Sequence, residues 1–138
     1  MLAPQSMAKV GLAGWLLVAL GGALGTLGRA GLAALGMRLA PATWWPLGTF
    51  AANALGSFLL AFVFVWGEGR SLLGTDLRLV VGTGILGAFT TYSTYNLEAL
   101  RLLAEGQLAR GSLYLGATLA TCLGAGAAGL ALGRALTG

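Results

Sequence analysis

The 138-residue chain contains no histidine, one cysteine, one lysine and only four carboxylates. Each shortage removes a class of chemistry. Without histidine there is no imidazole zinc site, no histidine proton relay and no Ser-His-Asp triad. Cys122 stands alone, so no disulfide forms within the chain. No glycine loop leads into a phosphate-gripping lysine. Charged residues make up 9% of the chain, against about 25% in an ordinary soluble domain. The formal net charge of +4 is carried at the ends of apolar runs. It reads as membrane orientation, not as a nucleic-acid surface.

What is present is hydrocarbon. Four runs carry no charge: Gly11 to Gly28, Leu47 to Gly67, Leu79 to Leu97, and Gly111 to Gly133. Each reaches the roughly 17–25 residues that a helix needs to cross a bilayer. None alternates apolar and polar faces in the manner of a soluble bundle. Lys9 before the first run has the outline of a signal peptide. The run is long and leads into Gly28-Arg29 without an evident cleavage site, so it is read as a retained helix. The expectation is an all-α membrane protein with a single four-span domain over residues 1–138. Four spans leave no length for a soluble catalytic domain, and no enzyme is expected.

Glycine is abundant, at 24 residues. In membranes small residues let helix backbones approach. Gly21, Gly22, Gly25 and Gly28 recur at helical spacing in the first run, and Gly124, Gly126 and Gly129 in the fourth. Gly82, Gly84 and Gly87 lead to the most informative stretch, Thr90-Thr91-Tyr92-Ser93-Thr94-Tyr95-Asn96. It is dense in hydroxyl and amide groups, yet it lies inside an apolar run. Hydrocarbon satisfies none of these groups, so protein, water or an ion must. With no carboxylate or ammonium from Leu79 to Leu97, the stretch predicts a neutral polar path. A helix broken after Gly84 and Gly87 near mid-membrane would expose carbonyls able to hold a cation.

Positive charge does not set one orientation. With four spans, Lys9, Arg70, Arg78 and Arg134 fall on one side. Arg38, Arg101 and Arg110 fall on the other, joined by Arg29 if it reaches that interface. Such balance suits insertion both ways and antiparallel pairing. Four short helices hardly enclose a path alone, which also favours an oligomer.

Three segments resemble the Fluc (CrcB) fluoride channel family. The first is Gly22, Gly25 and Arg29. The second is Pro46, Gly48-Thr49, Asn53 and Gly56-Ser57-Phe58. The third is Gly84, Gly87 and Thr90 to Tyr95, followed by Glu98. Order, spacing and length agree over nearly the whole chain. The resemblance implies a fluoride-selective channel of the bacterial inner membrane, exporting the ion passively. It implies an antiparallel dual-topology homodimer with two pores. It also implies a structural sodium ion, held by the main-chain carbonyls of Gly87 and Thr90 in each copy.

Carried over residue by residue, the family's pore phenylalanines fall on Tyr92 and Tyr95. Its pore asparagine falls on Asn53. Thr94 adds a hydroxyl, and Tyr114 and Thr118 look similar to pore-side polar residues. The two tyrosines depart from the pattern. They keep the positive ring edge that favours an anion and add a phenol.

Fluoride is a strongly hydrated hydrogen-bond acceptor, so replacing its water takes donors. Asn53, Thr91, Ser93, Thr94 and Thr118 supply that type of group. The hydroxyls of Thr91, Ser93 and Thr118 also suit bonds to their own helix carbonyls. Arg29 suits either an anion-attracting mouth or a snorkelling position. Two other readings stand beside the channel. One is a non-conducting partner subunit of a heterodimeric channel. The other is a small dual-topology multidrug exporter, which needs a membrane carboxylate. The first run offers none, and Glu98 near the end of the third is the sole candidate.

Overall fold

The computed structural model describes residues 10–138. Lys9, one charge in the orientation argument, lies outside them. Helix α1 spans Leu12–Leu39, about 42 Å at 1.5 Å per residue. It does not stop at Arg29, where the uncharged run suggested an end. An arginine can lie within a membrane helix if its stem follows the apolar surface and its head finds a partner. The helix closes at Ala40, whose N–H reaches Gly36. Pro41 follows and disfavours the helical conformation before it.

Helix α2 spans Leu47–Trp66 and starts directly after Pro46. A two-residue hairpin follows, β1 (Ser71–Leu72) antiparallel to β2 (Thr75–Asp76). Its turn residues Leu73 and Gly74 both have positive φ, as a tight hairpin with native twist requires.

The third apolar run forms no single helix. Arg78–Leu86 is a π-helix, and the N–H of Gly87 reaches back to the carbonyl of Gly82. One short turn, α3 (Gly87–Phe89), follows. Thr90 and Thr91 are then extended, and helix α4 begins at Tyr92 and runs to Ala104. The Val80-Val81-Gly82-Thr83-Gly84 composition explains the irregularity. β-branched and glycine residues weaken the regular helix, and paired threonines favour extended backbone. Gly106 ends α4 with positive φ. There Gln107 N–H bonds to Leu102 and Gly106 N–H to Leu103, the double closure of a glycine C-terminus. Helix α5 spans Leu108–Ala135.

Among the described residues three helices, α1, α2 and α5, are long and apolar enough to cross a membrane. Helix α2 packs along α5, and α1 packs along the π-helix and α3. The backbones approach closely at glycine. A Cβ on Gly25 would strike the Ile85 carbonyl, and one on Gly129 the Phe58 carbonyl. Gly124, by contrast, faces open space. The interior is small: Ala52, Leu79, Val80, Leu86, Ala99 and Tyr114 are buried, while Leu12, Leu20, Leu24, Leu27 and Leu123 point outward. An outer surface of leucine suits lipid and would be a liability in water.

Candidate functional site at the broken helix

A helix break frees backbone donors and acceptors that a bilayer cannot satisfy. Here neighbouring side chains take several of them. The Leu86 carbonyl accepts both the Thr90 N–H and the Thr90 hydroxyl, each at 3.1 Å. Asn53 on α2 grips the main chain of Thr91. Its Oδ1 accepts the Thr91 N–H at 2.8 Å, and its Nδ2 donates to the Thr91 carbonyl at 3.1 Å. One amide hydrogen of Asn53 remains. Thr91 Oγ1 caps α4 by accepting the Thr94 N–H at 3.2 Å. The same hydroxyl donates to Thr94 Oγ1 at 3.0 Å and lies 3.4 Å from Ser93 Oγ. Arg29 Nε donates to the Ala88 carbonyl at 3.4 Å. Arg29 thus lies beside the carbonyl end of the first half-helix.

The main-chain carbonyls of Gly87 and Thr90 accept no hydrogen bond among the described residues. Free carbonyls at an unwound helix are suitable ligands for a sodium ion. No group of three or more Cys, Asp or Glu side chains is placed to hold a metal among the described residues. The donors available at the break are backbone oxygens, the ligand type that hard cations take.

Aromatic rings continue from the break. Tyr92 and Tyr95 have centroids 6.0 Å apart, Tyr95 and Tyr114 5.4 Å, and Tyr114 and Trp45 5.2 Å. The first tyrosine is 77% exposed, while Tyr114 is fully buried. Two phenols are already engaged. Tyr95 donates to the Leu115 carbonyl at 2.8 Å, and Tyr114 donates to Glu98 Oε2 at 2.8 Å. Thr49 on α2 donates to Glu98 Oε1, also at 2.8 Å. Thr118, one turn beyond Tyr114 on α5, is 3% exposed. Its hydroxyl has no hydrogen-bond partner among the described residues.

The structure thus gathers Asn53, Thr91, Ser93 and Thr94 at the break. A second group, Tyr95, Tyr114 and Glu98, lies between α4 and α5. Thr49 and Glu98, named above only within the resembling segments and, for Glu98, as the one candidate membrane carboxylate, join this site through their hydrogen bonds. The signal for Glu98 was present: it follows Thr94 by four residues and Tyr95 by three, so it shares their face. Thr49 shares α2 with Asn53 at the same four-residue spacing.

A sequence profile of the family described as "CrcB-like protein, Camphor Resistance (CrcB)" matches residues 16–130. The chain is 50% identical to a protein of Nitratidesulfovibrio vulgaris named "Fluoride-specific ion channel FluC", over 86% of this chain and 94% of that one. A protein of the same name from Sorangium cellulosum is 41% identical, over 88% of this chain and 95% of its own. Another from Hahella chejuensis is 44% identical, over 85% and 91%. With its apolar helices, its broken third helix and these matches, the chain is a multi-pass membrane protein belonging to the CrcB family.

Proposed function

We propose that this chain is the subunit of a fluoride-selective ion channel that lets fluoride leave the cell passively across the inner membrane. It is not an enzyme. The observation that carries the reading is the Thr118 hydroxyl on α5, one turn beyond Tyr114, buried and without a hydrogen-bond partner among the described residues. A donor left unpaired in low dielectric is costly to the fold. A strongly hydrogen-bonding anion passing by takes that donor and gives up water in exchange. The name shared by the relatives agrees with this chemistry.

The path we assign uses the spare amide hydrogen of Asn53 and the hydroxyls of Ser93, Thr94 and Thr118. Tyr92 and Tyr95 offer ring edges. Thr91 and Tyr114 shape the wall, because their hydroxyl hydrogens are committed to Thr94 and Glu98. Arg29 adds positive charge beside the break. The full assembly in this reading has four spans per copy, the broken segment being the third. Two copies pair antiparallel. The Gly87 and Thr90 carbonyls of each copy would hold the sodium ion, which supplies fixed positive charge when bound.

Liposomes containing the purified chain should release fluoride and retain chloride with no proton gradient. Proton-driven uptake of a cationic drug without fluoride flux would overturn the reading. Flux appearing only when a second chain is added would make this one half of a heterodimer. Tags on one terminus should be reachable from both sides of the membrane. One fixed orientation would reject the antiparallel pair.

A further inference from the structure

The hairpin between α2 and the π-helix has leucine where a turn of its kind does not call for it. Leu73 and Gly74 are its two turn residues, and both have positive φ. Glycine, asparagine or aspartate ordinarily take such positions. Leucine there strains the backbone, and its side chain serves no core, being 81% exposed. Leu72 beside it is exposed as well. The fold thus holds two apolar side chains outward at the tip of a strained turn.

The base of the hairpin is polar and closely tied. The Leu77 N–H closes it on the Arg70 carbonyl at 3.0 Å, and the Arg70 N–H bonds to the Gly67 carbonyl at 3.1 Å. The Arg70 side chain turns back onto the end of α2. Its guanidinium lies 4.2 Å from the Trp66 ring centroid and donates to the Trp66 carbonyl. Trp66 in turn stacks on Phe62, with centroids 5.7 Å apart. The guanidinium is held by its face and by one donor, and it pairs with no carboxylate among the described residues. The two carboxylates of this segment, Glu68 and Asp76, are both taken by Arg78. Gly133 packs against Phe62 and Val65, so the last turn of α5 lies at the same end of the molecule. It carries Arg134, exposed and also without a carboxylate partner among the described residues.

Helix α2 has 20 residues, about 30 Å at 1.5 Å per residue, which is the thickness of the hydrocarbon core. Trp66 therefore ends it at headgroup level, where indoles collect. An apolar tip suits acyl chains. A guanidinium fixed by its face matches the oxygens of a phosphate, two at a time. Three arginines against two carboxylates leave this end positive, which favours an anionic headgroup over a zwitterionic one.

We propose that the hairpin is an interfacial anchor for an anionic phospholipid, with Leu72 and Leu73 among the acyl chains and Arg70, held over Trp66, on the phosphate. The proposal needs only the membrane setting of α2, not the fluoride path. Its first test is native mass spectrometry of the full chain released from micelles holding equal phosphatidylglycerol and phosphatidylcholine. Phosphatidylglycerol should be retained about fivefold in excess, the worth of one arginine at an anionic surface. Arg70→Gln should remove most of that excess. Excess glycerol 3-phosphate should not displace the lipid. Equal retention of the two lipids overturns the proposal, as does full retention in folded Arg70→Gln or displacement by glycerol 3-phosphate. The lipid comparison uses the unaltered chain, so it decides even if the variant does not fold. The second test places a nitroxide on Leu73→Cys in a Cys122→Ala background, in phosphatidylglycerol vesicles. Oxygen should reach the label better than a water-soluble nickel chelate. Better access for the chelate would put the tip in water, and poor access for both would put it against protein. Either result overturns the anchor.

Discussion

Two glycine seams hold this molecule together, and they hold different things. In the seam between α2 and α5, Gly129 and Gly133 lie against Phe58, Phe62 and Val65. Both helices are regular, so their backbone groups pair within each helix. In the seam between α1 and the third segment, Gly21 and Gly25 lie against Val80, Ile85 and Phe89. The partner there is a π-helix that ends in an extended break. Its loose backbone groups are met from outside, by Asn53 and Arg29. The same small-residue device therefore does two jobs. One seam sets only how closely two rods approach. The other also sets the position of the break.

The largest effect expected from this contrast is at the glycines. Gly25→Ala and Gly129→Ala each push a methyl group into a backbone carbonyl, and overpacking of this kind costs about 1–3 kcal/mol. Both variants should melt earlier in detergent. Only Gly25→Ala should also lose fluoride flux per folded molecule, because its seam ends at Phe89, next to Thr90. Flux should be measured in liposomes and normalised to folded protein. Equal flux in the two variants would remove the distinction between the seams.

Asn53 sharpens the same contrast, since it joins the regular helix α2 to the broken segment. Ionised, Asn53→Asp still accepts the Thr91 N–H but offers no donor to the Thr91 carbonyl. It also places negative charge beside the path. Nearly all flux should disappear. Asn53→Ser keeps one donor but is too short to span both Thr91 groups, and it should conduct weakly. Amide exchange at Thr91 separates the two roles. Faster exchange with normal flux would make Asn53 a clamp alone.

Much of this was legible in the chain. The uncharged runs located α2 and α5 closely, and Gly84, Gly87 and the paired threonines marked the break. The extent of α1 was not legible, because counting charges stops at Arg29 while the helix runs to Leu39. The π-helix was hidden as well: glycine spacing does not reveal which carbonyl each N–H will choose. The use of the phenols was the least visible part. Tyr114 meets Glu98 across 16 residues, Tyr95 meets Leu115 across 20, and Thr49 meets Glu98 across 49. Such pairs depend on the register between helices, and no local pattern encodes that register.

Tyr95 gives a smaller effect on the far side of the break. Its phenol is committed to the Leu115 carbonyl. Tyr95→Phe removes that bond and costs about 0.5–1.5 kcal/mol, while the ring edge stays. Flux and selectivity should change by less than about twofold, a shift worth under half a kcal/mol. A strong loss of flux, measured beside the melting temperature, would place the phenol itself on the path.

The smallest effect is expected at the start of the π-helix, outside the apolar run. Asp76 accepts the Arg78 N–H at 2.8 Å, Nη2 at 2.9 Å and Nε at 3.2 Å. The Arg78 side-chain hydrogen bonds hold its carboxyl below the usual range, while partial burial opposes them. The sign follows from that lowering. The unfolded chain binds the proton first, so the stabilisation is complete above the ordinary carboxylate value. It is lost as pH falls through the lower folded value. Because the pair is partly exposed, its worth is at most about 1 kcal/mol. Asp76→Asn should lower the melting temperature slightly at neutral pH, and the gap to the unaltered protein should close in acid. Flux should not change, since the hairpin is separated from Thr90 by the whole π-helix. If flux fell as far as in Gly25→Ala, the π-helix would be a rigid lever from the hairpin to the break. The α1 seam would then be only one of its supports.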